Sequence, residues 1–191
     1  MTTFALIMTL ISGQILSTQA SVYQKPSLEQ KWYVVYTKHL AEKKVSVRLQ
    51  AAGIEHYLPV YTTIRQWSDR KKKIEKPLIN SVVFVKTNER ALNELYSIQG
   101  IHGVLKYLGR PAVVQAHEIM NLRILLQEVH VEDIEQVDIQ AGDLVQVISG
   151  PFKGMQACAI QMQNSVRLII EIKNMGLGFS VNVPKTYVKR L

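Results

Sequence analysis

Cysteine is almost missing from this chain, with one residue, Cys158, among 191. A single thiol excludes an internal disulfide and suits a reducing compartment, so a cytoplasmic protein is expected. Cys158 has no histidine nearby in sequence and falls in no metal-ligand spacing, which makes it a small buried hydrophobe rather than a nucleophile. The five histidines, His39, His56, His102, His117 and His130, are scattered and form no ligand set. There is no Walker loop, no dinucleotide fingerprint and no nucleophile elbow. The Gly-Leu-Gly at 176–178 lies between strand-like segments, without the helix that a phosphate loop feeds, and reads as a turn. No catalytic residue, cofactor or metal is expected.

Long apolar runs are scarce too. The segment from Phe4 to Leu16 comes nearest, but its Thr, Ser, Gly and Gln make it too polar, and it is too short, to span a bilayer. It lacks the basic flank of a signal peptide. Residues 1–30 are therefore read as a disordered extension, and no membrane partner is expected.

Acidic residues are outnumbered, 15 against 23 Lys and Arg, for a net charge of +8. The imbalance is uneven along the chain. Residues 31–127 hold sixteen basic and seven acidic residues, and 139–191 hold six and two, while 128–138 carry five acids and no base. Two basic blocks joined by an acidic connector suggest a polyanion as partner. The connector, Glu128 to Asp138, has no Gly or Pro and is read as an extended linker kept open by like charges.

The sharpest local signal is RKKKIEKPLINSVVFVK, Arg70 to Lys86. Its first part is read as a basic loop over 70–76, with Arg70, Lys71, Lys72 and Lys73 beside nucleic-acid phosphates. Leu78 to Val85 reads as a central strand, apolar on both faces, with Pro77 at its entrance. Before it, KWYVVYTK alternates as a strand, and Ala41, Val45, Leu49 and Ala52 recur at helical spacing up to Gly53. A second strand, interrupted at Pro59, leads into the basic loop. After the central strand come a helix over NERALNELYSIQGI, a strand over HGVLKYLG and a third helix over AHEIMNLRILLQE. The order β-α-β-β-α-β-α predicts an α+β domain over 31–127 with its helices on one face of the sheet. The other face would stay uncovered, presenting Tyr36, Val82 and Phe84 as the kind of exposed apolar surface that marks a protein-binding site, unless residues 1–30 or the second domain fold over it.

The last block, 139–191, has turn signals at Gly142-Asp143 and Gly150-Pro151 and alternating apolar residues at Val166, Leu168, Ile170 and Ile172 and at Val181 and Val183. Several short strands in so short a segment predict a small β-barrel.

WYVVYTK and EKPLINSVVFVKT resemble the opening and central strands of the N-terminal (NGN) domain of the NusG family of transcription elongation factors, in particular its RfaH-like antiterminator branch. The family's central strand is usually Pro-Leu-Phe-Pro-Gly/Asn-Tyr-X-Phe-Val. This chain has Ile79, Asn80, Ser81 and Val82 in the middle, exchanging aromatic anchors for aliphatic ones. The C-terminal block is similar to a KOW domain, an SH3-like barrel: Gly142-Asp143 followed by Val145-x-Val147, the turn GPFKG, and Val183-Pro184 near the end. Ala157 replaces a family glycine, as in RfaH-like members.

The resemblance implies a monomer that docks on the clamp helices of RNA polymerase through Tyr36, Ile79, Val82 and Phe84. Lys38 and His39 would lie near nucleic acid of the elongation complex, and the KOW barrel would recruit a ribosomal protein or termination factor. A second reading is a ribosome-associated or RNA-binding KOW protein without polymerase affinity, gripping phosphate with the basic loop. The β preference of 166–173 and 180–183 and the repulsive connector predict a permanent barrel, freely tethered, that leaves the docking face open.

Overall fold

The computed structural model describes residues 29–66, 70–129, 134–137 and 142–191. Residues 1–28 and the middle of the acidic connector lie outside the described residues. The N-terminal domain is built on β1 (Lys31–Thr37), whose Trp32 to Val35 are all buried. It is followed by α1 (Glu42–Ala51), β2 (His56–Tyr57), β3 (Val60–Gln66), β4 (Lys71–Pro77) and β5 (Val82–Thr87). The five-stranded sheet runs β2-β5-β1-β6, with β6 (Ile101–Val104) and later β9 (Val113–Val114) sharing the far side of β1. Between β6 and β9 the chain leaves the sheet as a small hairpin, β7 (Lys106–Tyr107) and β8 (Arg110–Pro111). The backbone closes behind it through the Ala112 N–H donating to the Leu105 carbonyl at 2.9 Å.

The strand read from Leu78 begins only at Val82. Residues 78–81 form a turn, in which Ser81 takes φ +57°, and a left-handed residue breaks the extended run. Pro77 accordingly ends β4 instead of opening β5. The basic stretch 70–76 is mostly strand: β4 pairs with β3 from Val60↔Pro77 to Gln66↔Lys71 in a two-stranded ribbon. Its charged side chains tolerate this because both faces are largely solvated, and the alternation puts Lys71 and Lys73 on one face and Lys72 on the other. The second helix is a short 3-10 helix, Ala91–Ser97, anchored by buried Leu92 and Leu95.

The helices are not confined to one face. Tyr33, Val35, Val83 and Val85 pack with Val45 and Leu49 of α1 and with Leu92 and Leu95. The opposite set, Trp32, Val34, Val82 and Phe84, packs with Ile119, Leu122 and Leu125 of α2 (Ala116–Glu128). Tyr36, Val82 and Phe84 do share a side, as the alternation requires, but α2 covers that side, and Val82 and Phe84 are buried. The physical reason lies in the helix. Ile119, Leu122 and Leu125 recur at three-residue spacing and make a stripe that must be buried somewhere, and the open sheet face is the available apolar surface.

The C-terminal domain is an antiparallel six-stranded sheet in the order β10-β14-β13-β12-β11-β15. Its strands are β10 (Glu135–Val137), β11 (Asp143–Val147), β12 (Gln156–Gln161), β13 (Ser165–Ile172), β14 (Leu177–Pro184) and β15 (Val188–Arg190). Val166, Leu168, Ile170 and Ile172 point inward as the alternation predicts. Gly150 in the GPFKG turn has φ +79°, and a Cβ there would meet the Tyr187 ring at 2.3 Å, so the turn needs glycine twice over. Ala157, by contrast, lies within β12, paired with Val145, in ordinary strand geometry.

The connector is not wholly a tether, since Glu135–Val137 pairs with β14 as the edge strand β10. Nor is the second domain free of the first. Asn121 Nδ2 of α2 donates to the Gln156 carbonyl at 3.1 Å, the Lys173 N–H donates to Glu118 Oε1 at 3.2 Å, and the Asn174 amide donates to the Val113 carbonyl. The apolar clusters of the two domains are continuous through α2. Ile169, on the outward parity of β13, is buried because α2 lies near that strand.

Candidate protein and nucleic-acid interface

The apolar site suggested by the sequence forms at one end of the N-terminal sheet. Tyr36 stands directly opposite Val82 in the β1/β5 register, and Val34 opposite Phe84. Tyr57 of β2 pairs with Phe84, and their rings stack at 6.3 Å between centroids. Arg123 of α2 lies 4.9 Å from the Tyr57 ring centre and 5.9 Å from that of Trp32, so its cation closes the covered face over two aromatic rings. Burial pushes the Tyr57 phenol up to about 12, with the Arg123 charge acting in the opposite sense. Of the four residues expected to dock, Val82 and Phe84 are buried beneath α2 and form the floor of this end. Tyr36 and Ile79 remain half-buried against the same cluster, beside Leu78.

What holds this end in shape was not apparent from the sequence. Glu42, at the first position of α1, is almost fully buried, and its Oε1 accepts the Ser81 N–H at 2.7 Å. The Ser81 carbonyl in turn accepts the Thr37 N–H at 2.9 Å. Helix, turn and strand are thus clamped around the residues that carry Leu78 and Ile79. The adjacent Thr37 Oγ1 is buried without a hydrogen-bond partner. No spacing rule links Glu42 to a turn thirty-nine residues on.

Lys38 and His39 are exposed in the turn just after β1, beside this end of the sheet. Arg70, Lys71, Lys72 and Lys73 are also exposed, but Arg70 precedes and the three lysines open β4 of the β3/β4 ribbon, which continues from β2 at the edge of the sheet. Lys43 of α1 reaches Glu75 of the ribbon at 3.0 Å and steadies it on the helix. Both partners are well exposed, so the pair contributes little to stability. Lys71 and Lys73 lie on one face of the ribbon and Lys72 on the other, so positive charge is carried on both of its solvated faces.

The interface between the domains contains a cleft of about 550 Å³ lined on one side by Met120, Asn121 and Ile124 and on the other by Leu144, Cys158 and Ile169. Burial, with the Glu171 carboxylate nearby, raises the Cys158 thiol above its ordinary value, which leaves it protonated and unreactive at neutral pH. Among the described residues no His, Cys, Asp and Glu side chains gather as a metal site would require, and no helix is long and apolar enough to cross a membrane.

Residues 30–123 match the model of the family described as transcription termination factor nusG. This span coincides with the N-terminal sheet and most of α2. A search of curated proteins returned no match. Among solved structures, the chain is similar to one described as "Domain interaction in Thermotoga maritima NusG", at 24% identity, covering 85% of this chain and 98% of that one, with a TM-score of 0.44. It is also similar to the MjSpt4:Spt5 complex in conformation A, at 20% identity, covering 84% and 97%, with a TM-score of 0.30.

Proposed function

We propose that this chain is a transcription elongation factor of the RfaH-like, antiterminating kind, which binds the clamp helices of RNA polymerase through the Tyr36–Ile79 end of its N-terminal sheet. The match of residues 30–123 to the nusG family carries this reading. The half-buried Tyr36, Leu78 and Ile79 support it, because they form an apolar rim backed by the rigid floor of Val82 and Phe84. Lys38, His39 and the cations Arg70 to Lys73 lie near nucleic acid of the elongation complex and add salt-dependent, sequence-independent attraction. The C-terminal sheet serves as a KOW-type, SH3-like barrel that recruits a ribosomal protein or a termination factor. The protein acts in the cytoplasm as a monomer, without catalysis or a cofactor.

The test is retention of purified core polymerase or of ribosomes on the immobilised full chain at moderate salt, comparing the parent with Ile79→Asp. A charge placed on the rim meets an apolar partner surface without a counter-ion and should lower polymerase retention at least tenfold, while the fold survives because Ile79 is only half-buried. Equal retention by a folded variant removes the docking assignment. Retention of ribosomes but not polymerase by the parent selects the alternative, a ribosome-associated or RNA-binding protein that uses the basic ribbon.

A further inference from the structure

The hairpin β7–β8 breaks a local rule at its tip. Leu108 and Gly109 both have positive φ, +49° and +79°, as a two-residue type I′ turn requires. Glycine adopts this at no cost and Asn or Asp tolerate it, whereas a γ-branched leucine is disfavoured. The strain brings no burial in return, since Leu108 is 86% exposed and its neighbour Tyr107 is 61% exposed. Lys106 and Arg110 flank the pair, and the sequence holds no acidic residue from Leu95 to His117. The hairpin leaves the sheet between β6 and β9, on the edge opposite the one that continues into the basic ribbon.

We propose that this tip is a contact for single-stranded nucleic acid, with Tyr107 as a stacking platform, Leu108 as an apolar wedge between bases, Arg110 on the Tyr107 face of the hairpin directed at the backbone, and Lys106 adding positive charge from the other face. A two-residue tip is too small to form the core of a stable protein interface. Stacking against one ring and insertion of one apolar side chain, by contrast, are the scale on which single bases are gripped. The all-basic flanks and the net charge of +8 favour a polyanion over an apolar protein groove. Polymerase affinity is not required, so this inference stands or falls separately from the proposed function.

The experiment uses the full chain and a forked oligonucleotide carrying 2-aminopurine in its single-stranded arm, with a blunt duplex as control. Leu108→Asn should raise the thermal midpoint, because Asn suits the turn, yet weaken single-strand binding about tenfold and abolish the 2-aminopurine signal. Tyr107→Ala should weaken single-strand binding by a similar factor, while duplex binding, carried by phosphate contacts, stays within about twofold for both. A parent chain that does not bind the single strand refutes the proposal. So do variants with unchanged affinity, or variants that lose only a protein partner. Neutralising Arg70 to Lys73 should depress single-strand and duplex binding together, which separates the ribbon from the tip.

Discussion

Ser81 is the position where a single substitution tests the geometry of the Tyr36–Ile79 end of the sheet. Its φ of +57° places an L-residue in the left-handed region, which costs roughly 1–2 kcal/mol through the clash of Cβ with its own backbone. Ser81→Gly removes that clash but loosens the unfolded chain, which returns about 0.4–1 kcal/mol. The net expectation is a stabilisation of about 0.5–1 kcal/mol, or a midpoint rise of roughly 1–4 °C for a chain of this length. Both backbone bonds survive, since the N–H that Glu42 accepts and the carbonyl that receives Thr37 are present in glycine. Thermal unfolding followed by circular dichroism is the assay. Polymerase retention should be unchanged, because the position of Ile79 is set by those two bonds. The reasoning is refuted if the midpoint falls or if Ser81→Gly alone releases polymerase. Glu42→Ala gives the opposite control: it strands the Ser81 N–H and should cost about 1–3 kcal/mol while weakening retention.

Glu118→Ala should lower stability by about 2 kcal/mol and speed proteolysis within the connector, because one buried carboxylate both accepts the Gln115 N–H at the start of α2 and holds the Lys173 N–H of the second domain. Glu118→Gln, which keeps an acceptor, should fall between the two, and a connector cut no faster in the Ala variant would show that the domain contact does not depend on it. At alkaline pH, unfolded tyrosine loses its proton near 10 while folded Tyr57 keeps it to about 12, so the unfolded state binds fewer protons and stability falls as pH rises through that window. Tyr57→Phe should lessen this loss, and the parent-minus-variant absorbance titration at the phenolate band should be centred near 12; centring near 10 would contradict the burial of the ring.

The sequence disclosed whatever depends on local periodicity. The bounds AHEIMNLRILLQE gave α2 to the residue, although the buried stripe runs Ile119, Leu122 and Leu125 where the spacing points to Leu126 as its third member, and the alternation from Val166 to Ile172 gave β13. It misled where a local pattern had two tertiary uses. The apolar run after Pro77 was continuous, but a left-handed Ser81 divides it into turn and strand, and φ is not written in hydrophobicity. Charge at Lys71 to Lys73 does not signal irregular backbone, because a ribbon solvated on both faces accepts charge in either parity. The covering of the Val82–Phe84 face by α2 and the clamp made by Glu42 are long-range pairings, and neither partner carries a mark of the other.

The closed face bears on how any partner reaches the sheet. With α2, Arg123 and Tyr57 over Trp32 and Phe84, a protein cannot lie across the middle of the sheet without first moving a helix whose apolar stripe is buried. Displacing Ile119, Leu122 and Leu125 together would expose three fully buried side chains, at about 1.5–3 kcal/mol each. That exceeds what a small interface commonly returns, so access at the edge is favoured, where Tyr36 and Ile79 are already half open. The same helix seats the C-terminal sheet through Asn121 and Glu118. A partner that bound by displacing α2 would therefore also unseat the second domain, whereas one that docks at the Tyr36–Ile79 end need not disturb it. Hydrogen exchange of the α2 amides with and without polymerase separates these cases: protection retained in the complex supports docking at the edge, and protection lost along Ile119 to Leu125 would show that the partner opens the face.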